Sequence, residues 1–582
     1  MFIPRIVISC AFLGLVLAGP MNADLNFVVT ASRFLSTYPN SSVIAEEDVC
    51  RYKDFTIGDI LQGESGVQAN RYGGKGGVNA LSLQGANSNQ TLILLDGVPM
   101  KNAVYGTVDL NNINLEQIKE IQAYRGGMSA VYGADAVGGV INIVSKRTLE
   151  KNKLNLELGS YGNQNLSLAW SQGTTASSVQ LSLIHGRYDG YLPMGYFNND
   201  SLALAYSGDI MSDFNIRVVG STYSDQRGNP AGPYSASEQK DQGYLLQAQV
   251  ADNHPQGGRL FFSTKCDERT AVSGNVTDSK GWTNTLGGNQ ELSLGSHSFF
   301  MGLEANQVIP KDSMLAYNET ILNKAAFVND DWVVMPGCRV NVGLRRDSHS
   351  TFGIADTYKV GASFLFGKDC TLKTSYGTSF RAPSLADLYY QDAWGSAGNP
   401  SLRPETAKNV DLELSIRTSM GSFRSSYFEK KVSDLIEWCF TDDWSSSSPN
   451  NVGRARVSGI ETEWFGSVGE AILYSLNWTQ MLDASDENTG AWLQNRAKTK
   501  VNGTLSVGGL AGSVSMRANY VSERLISTGG STSLPSYWTV DMDYTKDIYS
   551  VFTHNVFNQT YEEYRGYAMP GRTFGVKVGV SF

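Results

Sequence analysis

Beyond residue 23 no stretch reaches the roughly 18 consecutive apolar residues that a membrane-crossing helix needs, and mean hydropathy is slightly negative. Helical spanning is thereby excluded. A β-barrel is not, because its strands alternate lipid-facing and lumen-facing residues and leave little trace in an average. Proline is scarce, 16 in 582 residues, against 60 glycines and 28 tyrosines, a balance that suits many short strands joined by turns. Histidine is scarcer still. His185, His254, His297, His349 and His554 are scattered, and no GxSxG, HExxH or phosphate-binding loop occurs. The adjacent Asp442 and Asp443 sit in a serine-rich stretch and read as solvated. Nothing here does covalent work, so the chain is not expected to be an enzyme. Of six cysteines, Cys10 falls in the leader, and Cys50, Cys266, Cys338, Cys370 and Cys439 stand singly without metal-site spacing. The chain also lacks any Lys/Arg block and carries a formal charge of −9, which argues against a nucleic-acid partner.

What is present begins with a secretory leader over 1–23: Arg5, an apolar run from Ile6 to Ala18, a Gly19-Pro20 break and Ala23 at the cut. A short apolar segment follows, Leu25, Asn26, Phe27, Val28, Val29, Thr30 and Ala31. At a free terminus such a segment is either an edge strand or a docking peptide. Residues 33–146 read as a small mixed α/β domain. Phe55–Gly66 places Ile57, Ile60 and Leu61 at helical spacing, Leu81–Gly85 and Thr91–Pro99 are strands, the latter with an Asp-Gly turn, and Ile113–Ala123 passes from helix to strand.

From 147 to 582 period-two segments dominate. Leu154, Leu156 and Leu158 alternate with Asn155 and Glu157; Val410, Leu412 and Leu414 alternate with Asp411 and Glu413; Phe574, Val576, Val578, Val580 and Phe582 alternate with glycine, lysine and serine to the chain end. Polar stretches at 227–242, 382–405, 441–451, 483–490 and 526–534 are candidate outer loops.

The two architectures meet in Tyr124–Ser145, YRGGMSAVYGADAVGGVINIVS, with glycines at 126, 127, 133, 138 and 139. This string resembles the end of the plug domain of TonB-dependent outer-membrane receptors. LSLQG and TLILLDGV resemble two further plug strings of that family, although Gln84 stands where an arginine is usual. YGTSFRAPSLADLY and GNPSLRPE, within 376–405, resemble its mid-barrel signature, and the terminal Phe582 strand resembles the assembly signal of outer-membrane barrels. The resemblance implies an all-β transmembrane barrel of about 22 antiparallel strands, wide enough to need its N-terminal α/β plug. It also implies that residues 24–32 hold the TonB box, which pairs edge-on with TonB of the TonB-ExbB-ExbD complex.

The expected function is therefore TonB-dependent uptake of a scarce nutrient by a monomer held in outer-membrane lipid. A passive porin is the rival class, and it would need neither plug nor coupling peptide. Haem receptors place a histidine between the equivalents of Pro383 and Asn399; this chain has none there. Arg71, Tyr72 and Lys75 in one plug loop and Val104 and Tyr105 in another are the candidate ligand contacts. Two cations among glycines leave an anionic siderophore open as an alternative, whereas Val104 and Tyr105 suit a bulky neutral ligand. VVTASRF, SAVYGADAVGG, GSYGNQN and NVFNQTYEE are more similar to the cobalamin-transporting members of the family, which favours cobalamin or a related corrinoid. Those members hold calcium in aspartate-rich outer loops, so Asp200 and Asp225 are candidate calcium ligands, with no cofactor otherwise required.

Overall fold

The computed structural model describes residues 37–582 apart from 52–55, 78, 107, 109, 112, 175, 212, 231–235, 255–256, 274, 393–394, 441–445 and 452. The expected leader and the coupling segment Leu25–Ala31 lie outside the described residues.

Among the described residues, 22 antiparallel strands close into a barrel. Closure comes from the last strand, Thr573–Ser581, which pairs with the first, Lys153–Gly159, and Phe582 and Asn152 exchange backbone hydrogen bonds at 3.0 and 3.1 Å. Burial along the strands is the inverse of that in a soluble protein. On Glu405–Thr418, Val410, Leu412 and Leu414 are exposed while Asp411 and Glu413 are buried. Hydrocarbon lies outside and polar matter inside, as the alternation predicts. At one end the joins are short, as between Met335 and Cys338 or Gly509 and Gly512; at the other they are long, as at 382–404 and 555–572. The inner domain hands over to Lys153 at the short-join end, which makes that end periplasmic and the long-loop end outer.

Two of the expected loops are strand in part. Phe214–Asn229 and Ser237–Asp252 stay paired out to Asn229 and Ser237, and Ile472–Asp486 runs into the predicted 483–490 loop. Polar strands that project above the bilayer look like loops in composition. The segment 382–404 is a loop as expected, with a short helix, Leu385–Tyr389, inside it.

The lumen is filled by a plug containing β1 (Ser41–Ala45), α1 (Glu46–Arg51), α2 (Ile57–Gln62), β2 (Val67–Arg71), β3 (Asn79–Leu83), β4 (Thr91–Leu95), β5 (Val98–Pro99), β6 (Ile118–Arg125), α3 (Ser129–Tyr132) and β7 (Gly139–Ser145). Its main sheet has the order β1-β6-β7-β4-β5, with β4 and β7 parallel. A capping box starts α2: Asp59 N donates to Thr56 Oγ1 at 3.3 Å, and Thr56 N donates back to Asp59 Oδ2 at 3.0 Å. Its Ile57, Ile60 and Leu61 then pack on Ile121, Ile141 and Ile143 of β6 and β7. Between β6 and α3 the chain presses against the wall. Gly126 has φ +86°, and a Cβ on Gly127 would lie 2.1 Å from Asn409 Nδ2, so a side chain at either position would drive plug and barrel apart.

Leu412 lies midway along Glu405–Thr418 on the lipid face. Leu412→Arg is expected to destabilise the barrel by about 2–4 kcal/mol, and Thr406→Arg at the strand's outer end by about 0–1 kcal/mol, in denaturant unfolding from lipid vesicles.

Candidate functional site

The plug presents two loops toward the outer end, and the structure shows how each candidate residue is used. Arg71 ends β2 and is held from both sides. Its Nη1 meets Asp59 Oδ1 at 2.6 Å, its Nε donates to Glu563 Oε2 at 2.9 Å, and its Nη2 pairs with the other Glu563 oxygen. Burial opposes the charge on Asp59, but Arg71, followed by Thr56, outweighs it and holds that carboxyl below its usual range. The Tyr72 ring lies tilted against Tyr564, centroids 4.3 Å apart, and meets Tyr567 edge-on at 5.6 Å. Lys75 Nζ reaches Glu157 at 3.0 Å and Asn163 at 2.8 Å. Glycine makes this docking possible: a Cβ on Gly76, at φ +87°, would lie 2.2 Å from the Phe197 ring, and Gly76 O accepts from Arg227 Nη1 at 2.8 Å.

The second loop is shaped by Asn102, whose Oδ1 accepts from Val104 N at 2.9 Å and Tyr105 N at 3.0 Å. Val104 is an anchor in place of the expected ligand contact. It is buried against Leu315, Ile321 and Leu385, and Ala386 N donates to its carbonyl at 3.1 Å. Tyr105 lies beneath the Arg269 guanidinium, 5.4 Å from its ring centroid, and burial, with Asp312 next, pushes its phenol up to about 12. Lys101, the remaining cation of this loop, is paired with Asp135.

The mid-barrel signature organises the outer loop above. Arg381 Nη1 meets Asp387 Oδ2 at 3.0 Å and its Nη2 meets Glu405 Oε1 at 2.8 Å, while Ser384 caps the helix Leu385–Tyr389. Burial opposes the charge on Asp387, but Arg381 and then Ser384 keep its carboxyl below the usual range. Trp438 Nε1 donates to the same carboxylate at 3.1 Å.

The structure does not bring the two candidate calcium ligands, Asp200 and Asp225, together. Asp225 is fully buried in the lumen, bonded to Asn199 at 2.8 Å and to Arg227 at 3.3 Å. Asp200 is paired with Ser224, next to Asp225, so strand alternation sends it to the opposite face. There its carboxylate is 69% exposed and bonded to His185 at 2.7 Å. The two carboxylates cannot share a cation. Among the described residues no cluster of three or more His, Cys, Asp or Glu side chains has metal-site geometry.

Sequence reading missed the barrel's contribution to this mouth. Tyr161 lies 5.8 Å from Tyr191 and 6.5 Å from Tyr188, and Tyr390 lies 5.6 Å from Trp438. Tyrosine in turn-rich segments was the available signal; which of those tyrosines converge depends on barrel register.

Below the mouth the plug is locked to one wall by buried charge. Arg125, at the end of β6, meets Glu463 at 3.0 Å and Glu461 at 3.4 Å. Burial opposes its charge, but Glu463 and then Glu461 outweigh it and raise the guanidinium above its usual value, so it stays protonated. Lys359 donates to Gly127 O at 2.9 Å, and Asn40 binds Asp411 at 3.0 Å and Glu413 at 2.6 Å. Arg125→Met takes from buried Glu461 its ion pair and leaves Glu463 with Arg424 alone, at a cost of about 3–5 kcal/mol. Faster amide exchange in β6 and β7, with the barrel strands still protected, is the expected readout.

Known proteins fit this geometry. A family model described as TonB dependent receptor-like, beta-barrel matches residues 148–558, and one described as TonB-dependent Receptor Plug Domain matches 35–140. The chain is 26% identical to a vitamin B12 transporter BtuB of Vibrio vulnificus, over 92% of this chain and 91% of that protein. It is 25% identical to one of Vibrio cholerae, over 95% of each. Its fold matches the ferric enterobactin receptor PfeA of Pseudomonas aeruginosa with a TM-score of 0.80 at 18% identity, over 95% of this chain and 100% of that one. The siderophore receptor PirA of Acinetobacter baumannii gives the same TM-score and coverage at 17% identity. The two family models between them take in the plug and most of the barrel, and the chain belongs to the TonB-dependent receptors of the outer membrane.

Proposed function

We propose that this receptor imports cobalamin or a related corrinoid, driven by TonB acting on Leu25–Ala31. The observation that carries this reading is the neutralisation of the plug apex. Arg71, Lys75 and Lys101 are each paired with a carboxylate, and Arg269, over Tyr105, is paired with Asp241 at 2.8 Å. A ferric catecholate is an anion, and these cations would have to abandon buried partners to meet it, at a desolvation cost. Aromatic faces and backbone groups instead suit a bulky ligand of little net charge. The names of the two Vibrio relatives point the same way, whereas the siderophore-receptor likenesses, at 17 and 18% identity, speak to fold.

Uptake must be active in this reading. The plug core and its ion pairs close the lumen, so a bound ligand has no open channel to follow, and the outer membrane holds no nucleotide pool to do the work.

Equilibrium binding of cyanocobalamin to the purified protein in detergent tests the ligand. Tight binding is expected, unchanged by a calcium chelator, and no binding with or without calcium overturns the corrinoid reading. Tyr72→Ala is expected to weaken binding by about 2 kcal/mol, the scale of a buried aromatic anchor. Deleting residues 25–31 is expected to abolish cellular uptake while leaving binding intact; uptake that survives the deletion would indicate passive passage.

A further inference from the structure

The wall that grips Asn40 and Arg125 of the plug presents Asp411, Glu413, Glu461 and Glu463 to the lumen, all buried. Two of these carboxylates also have a cation of the barrel itself. Lys373 lies 3.8 Å from Glu413, and Arg424 lies 3.2 Å from Glu463. Among the described residues, no cation lies within ion-pair distance of Asp411. Its carboxylate accepts from Asn40 Nδ2 at 3.0 Å and from Ser375 Oγ at 3.1 Å, and a Cβ on Gly126 would lie 2.8 Å from its Oδ2. The plug therefore supplies much of what satisfies Asp411.

One cation of the same wall is in the converse position. Lys430, on the strand Gly421–Ser433, is 2% exposed, and its Nζ makes no hydrogen bond. It stands directly opposite Asn409, so Asp411, two residues on and facing the same way, is its diagonal neighbour on the adjacent strand. Diagonal neighbours lie about 7–8 Å apart, within reach of a long side chain. The charged groups facing Lys430 are Asp411 first, then Arg496 and Glu461. Arg496 is fixed elsewhere, donating to Gly85 O at 3.0 Å and Asn87 Oδ1 at 2.7 Å, and Glu461 is held by Arg125. A buried cation without a partner is unfavourable, and so is a buried carboxylate whose partner leaves.

We infer that Lys430 is a counter-ion in waiting, which swings onto Asp411 when the plug draws Asn40 and Gly126 away from this wall. At rest Lys430 stays unpaired because the plug occupies its carboxylate. Displacement pairs it, so the resting and displaced states lie closer in free energy than the broken bonds alone would set them. The other barrel cation facing Asp411 is Lys359, which donates to Gly127 O at 2.9 Å and lies 4.6 Å from the Tyr38 ring centroid. Lys359 has plug contacts to give up, whereas Lys430 has none.

Amide exchange of the full-length protein in detergent tests this without any ligand. Lys430→Met removes the charge and keeps the length of the side chain. It is expected to slow exchange in β1 and β6 by about tenfold, mid-range for groups coupled in one network, with the barrel strands unchanged. Lys430→Arg, which keeps the charge, is expected to exchange like the native chain, and slowing there as well overturns the inference. In an Asp411→Asn background, Lys430→Met is expected to change nothing further, because no carboxylate is left behind. Native or faster exchange in Lys430→Met overturns the inference, since Lys359 or solvent then serves Asp411. Equal slowing in the barrel, or slowing that persists beside Asp411→Asn, overturns it too, as general stabilisation by loss of a buried charge. On the corrinoid reading above, Lys430→Met is also expected to lower cyanocobalamin uptake at saturation by about tenfold while leaving the binding constant unchanged. An unchanged rate overturns its part in transport. If the native chain imports no corrinoid, that reading fails and exchange alone judges Lys430.

Discussion

Hydrocarbon offers a backbone no hydrogen-bond partner, and that single constraint sets the rest of this structure. Every strand crossing the membrane must be paired on both sides, so the last strand has to find the first, as Ser581 opposite Lys153 does. A ring of 22 strands then encloses a lumen too wide for its own side chains to fill. The inward positions become polar, and the domain that fills the lumen must match them group by group. Asp411 and Glu413, inward on one strand, meet Asn40 of the plug; Leu412 between them meets lipid.

Because plug and wall are matched through charges and amides, the interior keeps few charges to spare, and this bears on the ligand. The plug cations nearest the mouth are committed to carboxylates of the barrel or of the plug itself, and in the corrinoid reading recognition then falls to aromatic faces and backbone. Arg381 shows the same economy one layer higher. It holds Asp387 and Glu405 together, and through them the outer loop.

Local patterns made much of this legible in the sequence. The capped helix at Ile57, the strand pair around Asp96-Gly97, the period-two barrel strands and the terminal Phe582 strand each follow from neighbouring residues. Partners far apart in the chain do not. Glu563 lies 492 residues from Arg71, and only barrel closure shows that it takes the charge that would otherwise have served an anion. Asp200 and Asp225 failed as a pair for a related reason: which face a residue occupies depends on the register across Met211–Phe214, a quantity that composition does not encode. Polar strands such as Ser237–Asp252 mimic loops because their outer halves stand in water.

The unequal attachment of the plug follows from the same matching. A lumen filled by one folded domain cannot be equally tight on every side, since a flat sheet inside a round wall leaves crescents. Here β6 and β7 lie against the strands bearing Glu461, Glu463 and Asp411, and the slack collects along Ser177–Asn229. That looser side is ionic as well: Glu116, two residues from Asn114, is paired with barrel Lys153 at 2.6 Å, so parting the plug from either wall strands a buried charge.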